Sequence, residues 1–204
     1  EQSGLAALCN PQGRMHALLQ VIAVPDGYML LVNHDIADHA FATLKKYAVF
    51  FDVQLASPAD NQQCFGLYGE GIEGLLRDAQ LEMPHRPWAQ LNFGDIQLVR
   101  VPSNTPRVLC LGNLNALMSL WQTMANWCTQ ATWEKWHVSN IFNGIAEVSA
   151  ATVEKLLPHY VGLVDLGGIS FDKGCYTGQE VIARMHYRGK LKQRCHLAKM
   201  TSAT

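Results

Sequence analysis

The stretch GGISFDKGCYTGQEVIAR, residues 167–184, is the most informative part of this 204-residue chain. Its glycines indicate tight backbone turns around a short polar centre. After Gly178, the apolar residues Val181 and Ile182 begin a pattern with the spacing of one helix face. The stretch therefore predicts a glycine-rich loop around Cys175 that opens into a helix.

The cysteine of this loop has two interpretations. A neighbouring lysine and the free backbone N–H groups of a helix start both favour a thiolate, so Cys175 and Lys173 are candidate catalytic residues. Gln179 and Glu180 lie in the first helical turn, where side-chain acceptors satisfy unpaired N–H groups. The alternative is a structural glycine turn around a buried thiol. The residues alone leave both interpretations open.

Composition excludes several classes of protein. Apolar residues make up 49% and charged residues 16%, which excludes a disordered chain, and the net charge of −1 excludes a generally basic nucleic-acid coat. No apolar run reaches the roughly 18 residues of a membrane span, and the first residues lack the pattern of a signal peptide. The six cysteines form no CxxC pair, so we expect reduced thiols in the cytoplasm and no metal site, with secreted disulfides as the alternative.

Periodicity and turn residues predict an α+β fold of antiparallel sheets with flanking helices. The order β-α-β-β-α within residues 58–130 is typical of a ferredoxin-like module. We expect this module to be inserted into a discontinuous domain, residues 1–57 and 131–195, and residues 196–204 to begin a linker or a further domain. The predicted strands are 5–9, 15–24, 28–32, 52–55, 64–68, 96–101 and 108–111, and the predicted helices are 35–49, capped by Asp35, 72–81, and 114–128, capped by Asn113.

The string KGCYTGQE, residues 173–180, resembles the signature of the YgfZ family. These are folate-binding proteins tied to iron–sulfur cluster maintenance and tRNA modification, in the superfamily of the glycine-cleavage T-protein, an aminomethyltransferase. Residues 9–15 resemble the family's early strand–turn–strand, and residues 44–50 its first helix. The resemblance implies a T-protein-like folate-binding fold. Family members carry an additional N-terminal strand and helix and a C-terminal β-barrel, so we expect a chain truncated at both ends, with the barrel absent.

The resemblance also implies a ligand and its contacts. Trp136, followed by Asn140, Ile141 and Gly144, resembles the segment that lines the family's folate pocket, and an indole offers a stacking face to a flat pterin. We therefore expect tetrahydrofolate or another folate as cofactor. The implied partners are iron–sulfur proteins such as radical tRNA-modifying enzymes, although one cysteine cannot hold a cluster alone. The expected folate contacts are Trp136, Tyr176, Gln179, Glu180 and Arg188.

Three functions follow from these observations. The first is a folate-binding accessory protein that supports assembly or repair of iron–sulfur enzymes, including tRNA-modifying ones. The alternative is a folate-dependent aminomethyl or one-carbon transferase. T-proteins use an aspartate on the first helix, and alignment on Val32-Asn33 puts Ala40 at that position, with Asp38 and His39 nearby. The third is a non-enzymatic RNA-binding module. Whether the protein is an enzyme stays open.

A basic segment follows the signature. Residues 173–199 hold seven lysines and arginines against Glu180 alone, a balance of 7 − 1 = +6. From Arg184 to His196 the basic or titratable residues occupy every second position, which predicts an extended strand with one basic face. This strip is either a solvated edge or an anion site for a folate glutamate tail, tRNA or an acidic partner.

Overall fold

The computed structural model describes residues 3–57 and 61–199, which fall into two compact units. The first unit comprises residues 4–55 and 140–199, and the second comprises residue 3, residues 56–57 and residues 61–139. Each unit holds one antiparallel sheet, and five α-helices are distributed along the described residues. The predicted class, antiparallel sheets with flanking helices, is confirmed.

The sheet of the first unit is a meander of β1 (Gly4–Cys9), β2 (Met15–Val24) and β3 (Gly27–Leu31), in that order. The central strand β2 carries most of the core, because its apolar run is buried at Met15 and Ile22, both fully enclosed. Helix α1 (Ala37–Ala48) contacts this strand.

The entry to α1 differs from the prediction. A 3₁₀ turn, His34–Ile36, precedes the helix, and its cap is Asn33, whose Oδ1 accepts the N–H of Asp35 at 3.3 Å. Asp35 was the predicted cap, but its carboxylate accepts the N–H of Ala150 at 2.9 Å instead. The predicted strand 52–55 is also wrong, because these residues form no strand.

Helix α5 (Gln179–Arg188) closes the regular structure of the first unit, after a 3₁₀ turn at Pro158–Val161. The predicted basic strand from Arg184 to His196 is therefore wrong. Its first part is helical, and residues 189–199 form neither helix nor strand. This segment is helical because a helix buries Ile182 on one face. The alternating charged residues remain solvated in a helix as well as in a strand, so they do not specify a strand.

The second unit contains a four-stranded sheet ordered β4-β7-β6-β5, with every neighbouring pair antiparallel. Its strands are β4 (Gln62–Tyr68), β5 (Gln90–Phe93), β6 (Ile96–Arg100) and β7 (Arg107–Asn113). The strands β4 and β5 lie at opposite edges and run antiparallel, so the helix between them does not join parallel strands as in a split β-α-β unit. The predicted ferredoxin-like order is corrected in this respect.

Helices α2 (Ile72–Asp78) and α3 (Leu114–Met124) pack with this sheet around one apolar core. Asn113 caps α3 as predicted, since its Oδ1 accepts the N–H of Ala116 at 2.9 Å. Helix α4 (Trp133–Phe142) follows, and its residues up to Ser139 belong to this unit. Within residues 3–57 and 61–199, every helix is too short or too polar to span a membrane. The buried core residues are Leu67, Ile72, Leu76, Met83, Leu98, Val108, Cys110, Leu117, Leu120 and Met124.

Candidate functional site

The signature loop lies directly against the first hairpin turn of the same unit. Gly178 has a left-handed backbone (φ 82°), and a Cβ at this position would lie 2.6 Å from the Asn10 carbonyl oxygen and 2.8 Å from Gly13 Cα. Gly13 is also left-handed (φ 74°), and a Cβ at this position would lie 3.3 Å from side-chain carbons of both Val181 and Ile182 of α5. The two glycines thus allow a backbone approach that no side chain would permit.

Asn10 holds the turn side of this contact rigid. It is buried, and its Oδ1 accepts the N–H groups of Gln12 at 3.0 Å and Arg14 at 2.9 Å. Its Nδ2 donates to Glu154 Oε1 at 2.8 Å. Because one side chain satisfies three partners, the surface on which the loop rests is pre-organised.

The structure brings three of the predicted site residues together within the loop. The Lys173 ammonium lies 4.7 Å from the centroid of the Tyr176 ring, a cation–π contact. Gln179 Oε1 accepts the Tyr176 N–H at 3.3 Å, while the Gln179 N–H donates to the Tyr176 carbonyl at 3.1 Å. The Tyr176 backbone is therefore held by two hydrogen bonds to Gln179, and a positive charge lies over the Tyr176 ring.

Cys9 is a neighbour of this cluster that sequence reasoning missed. Burial raises the pKa of the Cys9 thiol to about 11, and the charge of Lys173 lowers that pKa in part. Burial is also the main cause that raises the pKa of Tyr176, with Cys9 second. Among the residues described here, the Tyr176 hydroxyl has no hydrogen-bond partner. The sequence signal for Cys9 was the resemblance of residues 9–15 to the YgfZ family, but that resemblance does not indicate a contact with the signature loop.

Cys175 is exposed, and so the interpretation of a buried structural thiol does not hold. Helix α5 takes Gly178 as its N-cap residue, so the thiol precedes the cap by three residues instead of lying in the first turn. The contact that the structure gives to Lys173 is with the Tyr176 ring. A reactive role for Cys175 stays a prediction, and it depends on accessibility more than on the helix start.

Glu180 and Arg188 lie on α5, outside the contacts of the Tyr176 cluster. The exposed Glu180 carboxylate pairs with Arg184 at 2.6 Å, one helical turn away. Arg188 is exposed at the last residue of the helix, so both residues face solvent in this unit. Residues 180, 184 and 188 follow the four-residue spacing of one helix face.

Trp136 is half-buried on α4, in the second unit. The guanidinium carbon of Arg107 lies 4.1 Å from the centroid of its ring, and the Tyr68 ring approaches edge-on, with centroids 6.4 Å apart. Arg107 was missed because a single arginine at the start of a strand gives no sequence signal that it is buried.

A shallow depression elsewhere in the second unit has a volume of about 150 Å³, below the usual range of ligand pockets. It is lined by Cys64, Phe65, Leu117 and Trp121 among others, and it includes none of the predicted site residues. Across residues 3–57 and 61–199, no group of three or more potential metal ligands is close enough to hold an ion.

Two curated Escherichia coli proteins, each named tRNA-modifying protein YgfZ, are similar to the chain over nearly its whole length. The protein of strain O45:K1 is 31% identical over 199 residues, 98% of this chain and 61% of the relative. The resemblance to the YgfZ family is confirmed. The O157:H7 protein is 31% identical over 193 residues, 95% of this chain and 59% of the relative. The chain spans about three fifths of the length of these YgfZ proteins. No protein-family model matches it.

A solved structure gives the same fold. The glycine cleavage system aminomethyltransferase T of Bartonella henselae superimposes with a TM-score of 0.76, covering 92% of this chain and 54% of that one. The sequence identity is 16%, so the match establishes a T-protein-like fold and does not extend to activity.

Proposed function

We propose that this protein is a cytoplasmic folate-binding accessory protein that supports assembly or repair of iron–sulfur enzymes, including those that modify tRNA. The observation that carries the proposal is the similarity over 98% of the chain to proteins named tRNA-modifying protein YgfZ. The structure supports the proposal because the KGCYTGQE segment, which resembles the family signature, packs closely against the first turn through Gly178 and Gly13.

Folate contacts are proposed for each unit separately, and their side chains differ in chemical character. Trp136 supplies a large aromatic face for the pterin, and its half-buried ring retains surface beside Arg107. In the first unit, Tyr176 and Gln179 are the proposed aromatic and amide contacts, while Glu180 and the exposed Arg188 provide charges for polar groups and for the glutamate tail. The proposed domains are 1–57 with 131–195, and 58–130, whereas the compact units divide after residues 55 and 139, so that α4 up to Ser139 lies with the second sheet.

Cys175, beside Lys173, is the proposed reactive residue. Its thiol is exposed, whereas Cys9 and Cys110 are buried, and burial raises the pKa of both buried thiols. An accessible thiol can meet a client protein, which fits an accessory role on iron–sulfur proteins better than a permanent cluster site.

The transferase alternative is supported by the T-protein-like fold alone. Ala40, at the position of the T-protein aspartate, is buried and carries no polar group. Nearby His39 is engaged elsewhere, because its Nε2 lies 3.1 Å from Nδ1 of His16. The side chain that would orient the reactive folate nitrogen is thus missing from that position, and the accessory function is favoured.

Contact with tRNA is proposed through the basic segment 184–196. Its arginines and lysines are exposed on α5 and on the irregular chain that follows. Such a segment neutralises phosphates without needing the strand geometry first expected. The basic residues are Arg184, Arg188, Lys190, Lys192 and Arg194.

The experiment that tests the folate contact compares two tryptophans. Titration of tetrahydrofolate into Trp136→Ala should show affinity weaker by about 1–3 kcal/mol, the scale of a large aromatic contact. The control is Trp127→Ala, which removes a tryptophan that is 76% exposed and should bind like the wild type. A folded Trp136→Ala variant with unchanged affinity would remove Trp136 from the site.

A further inference from the structure

Arg107 is an unusual side chain for the interior of the second unit. It is the first residue of β7 and only 1% exposed, although it carries a guanidinium group. Burial lowers its pKa to about 10, with the Tyr68 hydroxyl acting in the opposite direction. Its planar group lies over the Trp136 ring with Cζ 4.1 Å from the ring centroid. A buried planar cation on an indole face is a strong and geometrically specific contact.

The neighbouring strand is shaped to receive the same indole. A Cβ added to Gly66 would overlap the ring carbons Cζ3, Cε3 and Cη2 of Trp136, so the ring rests directly on the backbone of β4. Tyr68, two residues along β4 and therefore on the same face of the sheet, lies edge-on to the ring. It is also the register partner of Arg107 across the β4–β7 pair. Gly66, Tyr68 and Arg107 thus form one seat for Trp136.

We propose that Arg107 is a positioning residue that fixes the Trp136 indole for its ligand, on the seat formed with Gly66 and Tyr68. The proposal rests on the proposed function in one respect, since it takes the ligand to be a folate. Arg107 covers part of one ring face, which leaves the remaining indole surface to the pterin. The guanidinium then acts on folate affinity through the tryptophan and does not touch the ligand.

The test combines a spectroscopic and a binding readout on the whole protein. With 5-fluorotryptophan incorporated, Arg107→Met should shift or broaden the ¹⁹F resonance of Trp136, because the ring loses its cationic neighbour. The matched control, Arg77→Met, removes an exposed arginine of α2 and should leave that resonance unchanged. Tetrahydrofolate affinity should fall about three- to thirtyfold in Arg107→Met, the range expected of a desolvated cation–π contact.

A double-mutant cycle separates positioning from direct contact. If Arg107 acts through Trp136, then Arg107→Met combined with Trp136→Ala should bind no more weakly than Trp136→Ala alone. Additive losses would overturn the proposal, because Arg107 would then contact folate or act elsewhere. An unchanged ¹⁹F resonance in Arg107→Met would overturn it as well.

Two further outcomes remain decisive. If Trp136→Ala binds tetrahydrofolate normally, the proposed folate contact fails, and the ¹⁹F resonance alone decides whether Arg107 positions the ring. If Arg107→Met does not fold, Gly66→Ala takes its place. That variant keeps the arginine and pushes the indole from its seat, so it should perturb the same resonance and weaken binding, and a wild-type resonance would contradict the seat.

Discussion

Replacing Gly178 by alanine tests whether the signature loop depends on its contact with the first turn. A left-handed backbone costs an L-residue about 1–2 kcal/mol. The new Cβ would also lie 2.6 Å from the Asn10 carbonyl oxygen, a backbone atom that cannot rotate away, and such overpacking costs about 1–3 kcal/mol. Reduced freedom of the unfolded chain offsets about 0.4–1 kcal/mol. Gly178→Ala should therefore lower the free energy of unfolding by about 1–5 kcal/mol.

Gly174→Ala is the matched control in the same loop. A Cβ at Gly174 meets no atom within 4 Å, and its φ lies outside the left-handed region, so this variant should be neutral or slightly stabilising. Urea unfolding followed by circular dichroism gives both free energies. If Gly178→Ala loses no more stability than Gly174→Ala, the loop does not depend on its close contact with the first turn.

Three further predictions concern thiols, pH and charge. Brief alkylation at neutral pH, mapped by mass spectrometry, should label the exposed Cys175 well before Cys9, whose burial raises its pKa to about 11. Burial lowers the pKa of His159 below 6.5, so stability should be retained above that value and fall as the pH drops through the lowered pKa, and His159→Phe should flatten this dependence in thermal unfolding. Charge reversal by Lys190→Glu/Lys192→Glu should weaken tRNA binding and reduce its salt dependence in filter-binding assays.

Each of these has its own control and its own contradicting result. Cys195 is the other exposed thiol near the signature, so labelling of Cys9 before both exposed thiols would contradict the burial argument. Val161→Ala, in the same 3₁₀ turn as His159, changes no titratable group and should lower stability without altering its pH profile. A profile unaltered by His159→Phe would exclude His159 as its source. Binding of monoglutamyl folate, polyglutamyl folate and tRNA should be compared between the wild type and the charge-reversed variant. The ligand whose binding weakens is the one that the basic segment contacts, and if neither folate nor tRNA binding changes, the segment is only a solvated surface.

The sequence was sufficient to predict elements whose local signals all favour the same structure. The first meander, the Asn113 cap and the loop that opens into α5 were predictable, because turn residues, capping geometry and helical spacing all favour the same structure there. At the entry to α1, Asn33 caps the 3₁₀ turn and Asp35 accepts the N–H of Ala150, a tertiary contact that the local sequence does not encode.

The rest depends on contacts that no local pattern encodes. The charges from Arg184 to His196 alternate like a strand, but the burial of Ile182 makes the first part a helix. The short strand β5 was not predicted, since its pairing with β6 is set by the sheet. The positions of Arg107 against Trp136 and of Cys9 near Tyr176 likewise arise only when distant segments pack together.

Isothermal titration of tetrahydrofolate into the wild-type protein measures directly whether the protein binds a folate through its pterin. We expect saturable binding of one folate per chain. The compound p-aminobenzoylglutamate lacks the pterin and should bind much more weakly, because it cannot stack on an indole. Absence of saturable tetrahydrofolate binding to the folded protein, or equal binding of the two compounds, would contradict a pterin-recognising folate protein.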